Sequence, residues 1–439
     1  MVEEADMRIA VAGGGPVGVF TAMSLARRGH QVALVDRDPG PAPDGSWRRS
    51  GVMQFMHPHG FRAQVRHALQ AELPDVHDAL IAAGAEIRPM PGVPEHMAGF
   101  WCRRWVVERT LRTAARRQPG LRWITGHVDD VVVENGTARG LLVDGARLDA
   151  DLVIVASGRG SHLGDELRGP VEGGSCGFSY MSRMYAARPG QPGCELIAPL
   201  ITLGPDYYTF VLPQDAGTHS VLFCYPSRAP EFEVLRTPAG FARAAAAVPG
   251  LAPWTDPGRF APITEPLVGG NLTNTYRTQG PALGLPPARG LLFVGDRVAT
   301  LNPQAGRYLA LALPQVQHLL AVLDDPGSDF VDASLALDLW AEERIRPWYL
   351  DHVRWDRALL RRFAGADLDL AQPIPSDVIC AAAAVDPSIT PLAGQYNGMI
   401  AGPEVLDPAR ERVLALLRSG WRPAQQGPSA AELTLLAAA

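Results

Sequence analysis

The apolar positions of this chain fall into two rhythms, and the first three dozen residues carry both. Residues 8–12 read Arg-Ile-Ala-Val-Ala, a short apolar run of the kind carried by a strand buried on both faces. From Val17 to Arg28 apolar residues recur at helical spacing, and Gly29 reads as the stop. Gln31–Val35 returns to a buried-strand run, closed by Asp36. Further on, the pattern predicts helices over 61–83 and 101–117, the second with Val107, Leu111 and Ala114 or Ala115 on one face, and a strand over 121–128. Val131–Glu134 and Gly140–Val143 flank Asn135-Gly136, a strong hairpin turn, and a short strand at Arg147–Leu148 follows. Leu152–Ala156 is another buried strand, running out into Ser157-Gly158-Arg159-Gly160-Ser161.

Between 176 and 225 the rhythm changes. Aromatic and β-branched residues alternate over Gly177–Ala186, Glu195–Leu203, Tyr207–Leu212 and Ser220–Tyr225, with turn residues at 204–206 and 215–217. This predicts an antiparallel sheet inserted into the first unit. A short helix (238–248), a buried strand (Gly290–Val294) and a helix over 306–323 follow, with a kink expected at Pro314. From Asp332 the chain reads as helical, broken by Pro-rich turns near 373 and 387. The predicted class is α/β: a Rossmann-like nucleotide-binding domain in two parts (1–169 and 288–330), an inserted antiparallel β-sheet domain (170–287) and a C-terminal helical region (331–439).

Composition narrows the chemistry. A net charge of −6 without basic runs argues against nucleic acid, and no apolar run reaches spanning length. With no apolar leader ahead of the first strand, the expected location is the cytoplasm. The five cysteines, Cys102, Cys176, Cys194, Cys224 and Cys380, are scattered and lack C-x-x-C spacing, so they read as reduced, buried thiols. All 40 basic residues are arginine, so no lysine Schiff base or lysine acid can form.

The first strand–helix junction holds the most specific chemistry. Gly13, Gly15 and Gly18 occupy the three glycine positions of the G-x-G-x-x-G dinucleotide fingerprint, and Asp36 stands 18 residues after Gly18. Gly13 allows the tight turn, Gly15 lets backbone approach a pyrophosphate, and Gly18 lets helix and strand pack closely. The helix N-terminus offers free N–H groups to phosphate, and Asp36 can accept from a ribose hydroxyl.

Three more stretches extend this. Arg48-Arg49-Ser50-Gly51-Val52-Met53-Gln54 is followed by His57 and His59; Ala150–Ser161 is followed by Arg168; and LLFVGDRVATLNPQAG puts Gly295-Asp296, Pro303 and Gly306 before a helix. With these the chain resembles the FAD-dependent monooxygenases of the p-hydroxybenzoate hydroxylase fold. It is most similar to the subgroup with an R-x-G-V-x-Q-x-x-H-x-H stretch, which includes epoxidases and styrene-monooxygenase-like proteins. The resemblance covers roughly 7–168 and 288–325, with the inserted sheet alike in architecture only. It implies that Asp36 holds the adenosine ribose, that Arg49 and Gln54 lie alongside the flavin, and that Arg104 reaches the ribose or pyrophosphate. It further implies that Val128 packs near the adenine, that Ser157-Gly158-Arg159 replaces the family's D-G motif, and that Asp296 binds the ribityl chain. The Pro303–Gly306 turn would aim a helix N-terminus at the pyrimidine edge of the ring. Arg37 is the one arginine beside Asp36, so an unphosphorylated ribose is expected.

The implied activity is insertion of one oxygen atom from O₂ into an apolar aromatic, polyketide or alkene substrate, by hydroxylation or epoxidation through a flavin hydroperoxide. Electrons would come from NAD(P)H or from a partner flavin reductase, because no second glycine fingerprint follows a strand after residue 40. The substrate would lie against the 176–225 sheet, with Met181 and Met184 in its lining. His57 and His59, two apart in an extended segment, face the same way; they are candidate active-site residues, or satisfied core histidines. Tyr308 is the third candidate: it replaces the second glycine of the family's P-x-x-G-x-G, and its ring is expected to obstruct the flavin partly. A flavin-dependent halogenase shares the fold but carries a lysine and a W-x-W-x-I-P stretch, both missing here. The alternatives are a flavin-dependent reductase or desaturase of an isoprenoid-like substrate, and a non-catalytic nucleotide-binding protein.

Overall fold

The computed structural model describes residues 7–89, 94–193, 200–280, 288–327 and 329–438. Strand β1 (Arg8–Ala12), helix α1 (Pro16–Arg27) and strand β2 (Gln31–Asp36) form the expected βαβ unit. β1 lies at the centre of a five-stranded sheet, in the order Leu291–Phe293, Leu152–Val155, β1, β2, Leu121–Thr125, with every pairing parallel. Strands buried on both faces explain the unbroken apolar runs. Ile9 and Val11 face one core with Phe20, Leu111 and Val316, while Ala10 and Ala12 face a second core with Val153, Trp348 and Val378. The C-terminal helices supply much of that second core, together with Val131, Ala138, Leu141 and Val143 of the antiparallel strands around the Asn135-Gly136 turn.

Asn135 and Gly136 both have positive φ, 51° and 73°, and join Val128–Glu134 to Thr137–Val143. The reading of 61–83 as one helix is corrected: it divides into Ala63–Glu72 and Pro74–Ala82, because Pro74 lacks the N–H that a continuing helix needs. The helix read over 101–117 runs from Arg104 to Ala115, with Gly99–Trp101 paired as a strand before it. Pro314 stands inside one helix, Tyr308–Leu323.

The inserted sheet is antiparallel. Phe178–Ala187 pairs with Thr218–Pro226 and, on its other side, with Phe260–Pro262 and Leu267–Gly269; Tyr208–Pro213 and Ile201–Leu203 extend the far edge. The rest of the run read over Glu195–Leu203 lies outside the described residues. Period-two alternation sorts its residues between two faces. Met181, Tyr185, Tyr207, Phe223 and Tyr225 pack in a core behind the sheet against Phe241, Trp254 and Leu433; Tyr180, Tyr208 and Leu222 lie on the opposite face. No described helix is long and apolar enough to cross a membrane.

Candidate functional site

A cavity of about 920 Å³ runs from the β1–α1 turn to the front of the inserted sheet. At its nucleotide end the three fingerprint glycines have three separable reasons. Gly13 has φ +111°, and a Cβ there would stand 2.5 Å from the Ala156 carbonyl oxygen. A Cβ on Gly18 would stand 1.8 Å from the Gly13 carbonyl oxygen, so helix and turn touch only through glycine. A Cβ on Gly15 would meet nothing within 4 Å, so this position lies open to the cavity. No side chain caps the N-terminus of α1, which leaves its first N–H groups for a ligand.

Asp36, at the end of β2, is buried and largely engaged. Its Oδ2 accepts from the Gly14 N–H (2.5 Å) and from Arg49 (2.8 Å), and its Oδ1 accepts from the Asp38 N–H (2.7 Å). Of roughly four acceptor positions on a carboxylate, about one stays open for a ribose hydroxyl. Arg49 is fixed by Asp36, by Glu108 (2.5 Å) and by the Gly14 carbonyl (3.2 Å). Burial disfavours its charge, but Glu108 and Asp36 outweigh that and hold it protonated. Arg49 thus stands beside Asp36 and the glycine turn, while Arg37 lines the cavity alongside. Gln54, Val128 and Gly158, the last at φ +77°, are also on the cavity wall.

The two histidines separate. His59 lines the cavity; its Nδ1–H donates to the His57 carbonyl (3.0 Å), so its Nε2 lone pair accepts from Arg104 Nη1 (3.0 Å). Burial and the Arg104 charge keep the ring neutral, its pKa well below the usual histidine value. His57 is not on the wall. Its Nδ1 bonds Ser182 Oγ (2.7 Å), its ring meets Tyr180 edge-on at 4.7 Å, and burial lowers its pKa to about 4. The expectation of His57 as a catalytic residue is corrected here: it is a core histidine between the 53–60 segment and the inserted sheet. Arg104 opens its helix and pairs with Glu108 one turn on, so Glu108 joins Arg49 to Arg104. Sequence reading missed Glu108; the i,i+4 Arg–Glu spacing was its signal.

Asp296 lies past the end of Leu291–Phe293, facing the cavity. Burial pushes its carboxyl up to about 6, against the pull of Arg104, Arg159 and Arg297. Tyr308, the first residue of its helix, lines the cavity beside it. The Tyr308 hydroxyl lies about 3.0 Å from where a Cβ on Gly295 would be and bonds the Asp296 backbone. Pro303–Ala305 forms a single 3₁₀ turn, closed by Gly306 at φ +59°. Arg307 turns away from the cavity centre, stacked on Trp348 (4.3 Å) and paired with Asp351 (3.1 Å).

The far wall is apolar: Tyr180, Phe210, Leu212 and Leu222 of the inserted sheet. Met181 and Met184, expected in this lining, are both buried away from the cavity, because alternation turns Met181 to the back of the sheet.

Three observations test whether an FAD fits. Gly15 presents open backbone, Ser157 Oγ beside the Gly13 turn is buried with no hydrogen-bond partner, and the Asp296 carboxylate has none among the described residues. Each stands where the pyrophosphate or the polyol chain of a dinucleotide would need a partner, so the residues present fit the group.

Residues 8–88 match the family model described as FAD dependent oxidoreductase. Over 51 residues the chain is 45% identical to D-amino acid dehydrogenase 2 of Ralstonia nicotianae, a match that covers 12% of this chain and only 12% of that protein's length. Likeness over the whole chain is in fold. Flavin-dependent brominase Bmp2 superposes with a TM-score of 0.63 at 13% identity, over 94% of this chain and 99% of that one. The p-nitrophenol 4-monooxygenase PnpA from Pseudomonas putida gives 0.61 at 17% identity, over 95% and 98%. The fold is therefore that of flavin-dependent oxidoreductases, with an FAD-type nucleotide segment at its start.

Proposed function

We propose that this protein is an FAD-dependent monooxygenase that places one oxygen atom from O₂ on an apolar aromatic, polyketide or alkene substrate. The observation that carries the reading is the single cavity joining the fingerprint turn to the aromatic wall of the inserted sheet. Bound FAD would supply the oxygen-activating redox chemistry. The chain's own residues bind and orient. Gly13–Gly15 and the α1 N-terminus take the pyrophosphate, Asp36 and Arg49 the adenosine end, Ser157 and Asp296 the polyol chain. Tyr180, Phe210, Leu212 and Leu222 hold an apolar substrate and exclude water. His59, neutral and bonded on both nitrogens, positions Arg104 rather than moving a proton. Burial raises the Asp296 carboxyl on the cavity wall to about 6, within reach of proton exchange near neutral pH. Electrons reach the site from NAD(P)H or from a separate flavin reductase.

The test has two stages. Purified protein incubated with FAD is expected to show a bound flavin spectrum that Gly15→Val abolishes. Turnover of aromatic probes under ¹⁸O₂, with reduced FAD supplied, is expected to give product carrying one ¹⁸O. Oxidised product without the label would instead assign a dehydrogenase or desaturase, and a protein that never binds flavin would remove the reading altogether.

A further inference from the structure

Two arginines of the cavity wall, Arg37 and Arg159, have no carboxylate partner among the described residues; Arg37 stands at the fingerprint end beside Asp36, and Arg159 at the end toward the inserted sheet. Arg159 follows the strand Leu152–Val155, where the inserted sheet meets the nucleotide-binding part. Its Nη1 donates to the Asn271 carbonyl (3.2 Å) and its Nη2 approaches Met53 Sδ (3.7 Å). Those contacts use two of the five N–H groups of a guanidinium. Arg49, Arg104 and Arg307, also on this wall, each pair with a carboxylate, whereas Arg159 has none within salt-bridge distance among the described residues. Asn271 holds φ +52°, a conformation asparagine tolerates and most residues avoid, and its carbonyl fixes one side of the fork.

Tyr180 faces the same region. Its ring is fixed edge-on to His57, and a Cβ on Gly269 would stand 2.2 Å from it, so the ring occupies a place only glycine leaves open. Its hydroxyl makes no hydrogen bond among the described residues; burial raises its pKa and the Arg159 charge opposes that rise, and both side chains line the cavity beside the 269–271 segment. A cation and a hydroxyl donor thus converge on an otherwise apolar wall, the arrangement by which a pocket orients an apolar ligand through one polar group. The planar fork of a guanidinium matches the two oxygens of a carboxylate.

We propose that Arg159 and Tyr180 form a carboxylate-recognition pair, and that the substrate is an apolar, ring-containing acid bound with its carboxylate on Arg159 and its body against Phe210, Leu212 and Leu222. This rests on the monooxygenase reading for the word substrate, but the binding site is tested without it.

The probes are 2-naphthoate and its neutral isostere 2-naphthamide, titrated by calorimetry into the protein with and without FAD. Wild type is expected to bind the acid at least about tenfold more tightly than the amide, the share of a charge-assisted pair. Arg159→Gln should bring the acid to the level of the amide, Arg159→Lys should restore part of the difference, and Tyr180→Phe should lose a smaller part. FAD affinity, read at pH 8 where Asp296 is ionised, should be unchanged in all three variants, which also reports their folding. Equal binding of acid and amide by wild type overturns the pair. Loss of FAD binding in Arg159→Gln, with naphthoate binding intact, overturns it too and assigns the arginine to the dinucleotide phosphates. A wild type that never binds FAD yet discriminates acid from amide sustains the pair and sinks only the monooxygenase reading.

Discussion

Asp296 and Tyr308 share one corner of the cavity and, on the reading proposed above, would pull on a bound FAD in opposite senses. Asp296 has its carboxyl raised to about 6 by burial, and polyol hydroxyls donate best to the ionised form. Binding of FAD at Asp296 would therefore release a proton when the pH is below that value. FAD affinity is expected to be level above pH 7 and to fall by up to about tenfold per pH unit below 6. Asp296→Asn should be weaker at pH 8 and flat throughout. Fluorescence titration of FAD from pH 5 to 8 reads both, and a flat wild-type profile would remove Asp296 from the cofactor site. Tyr308 acts the other way, since its ring lines the space beside Asp296 where the family's pattern has no side chain. Tyr308→Gly is expected to tighten FAD by about tenfold while lowering fold stability by about 3 kcal/mol, the cost of glycine in a helix added to the loss of a ring packed on the core. Calorimetry of the two apoproteins decides; equal or weaker binding by the glycine variant would make Tyr308 a contact of the ligand. At this scale the sequence revealed residues whose job depends on the backbone, such as Gly13 and Gly18. It hid those whose job depends on a distant partner: His57 was drawn into the core by Ser182, and Glu108 bridges two arginines from sites far apart in the chain.

Among the elements, the turn Pro303–Gly306 has support that no local pattern announces. Asn302, just before it, is buried; its N–H donates to Asn274 (2.7 Å), and its side-chain amide donates to Asp356 (3.1 Å), which also accepts from Asn274 (2.7 Å). Arg62 donates to the carbonyls of Ala305 and Gly306. The helix carrying Asp356, Arg346–Phe363, begins forty residues after Gly306, so the network is a tertiary fact. Burial pushes the Asp356 carboxyl up to about 7, partly offset by the two asparagine donors. Folded Asp356 therefore keeps a proton that the unfolded chain, with an ordinary carboxyl near ~4, releases. Its contribution to stability is complete below that value and is lost as pH rises through 7. The stability of Asp356→Asn relative to wild type should shift in the variant's favour from pH 5 to 8, by on the order of 2–4 kcal/mol. Urea denaturation of the apoproteins measures it, and a difference independent of pH would show that Asp356 is ionised throughout. Where periodicity and turn chemistry act locally, the sequence was legible: the βαβ unit, the Asn135-Gly136 hairpin and the alternating strands of the insert all stand near their expected bounds. The short strands Glu172–Ser175, Leu267–Gly269 and Thr273–Tyr276 went unread, because three or four residues carry too little periodicity and only the neighbouring strand defines them.

For the whole molecule, the open question is how electrons arrive. The glycine fingerprint occurs once, at the β1–α1 turn, and the described sheets contain one parallel sheet, built around that turn. On one face of this sheet Ala10 and Val153 share a core with Val131, Ala138 and Leu141 of the antiparallel strands and with Trp348, Val378 and Leu406 of the C-terminal region. The inserted sheet has its own back covered by Phe241, Trp254 and Leu433. FAD and substrate would share the cavity that runs from the β1–α1 turn to the inserted sheet, and the described residues form no second parallel sheet beside it. Tyr308 in the cofactor corner favours a flavin that exchanges with solution. Of the two electron sources proposed above, NAD(P)H and a separate flavin reductase, an exchanging flavin would suit the reductase, and that arm is the one put to test. Anaerobic mixing of the FAD-loaded protein with NADH or NADPH is expected to leave the flavin absorbance unchanged over minutes, whereas a general flavin reductase with NADH and free FAD should support turnover. Gel filtration should strip a substantial part of the bound flavin. Bleaching within seconds by either nicotinamide, with no partner present, would overturn this and require a nicotinamide to enter the same cavity and reach the flavin directly.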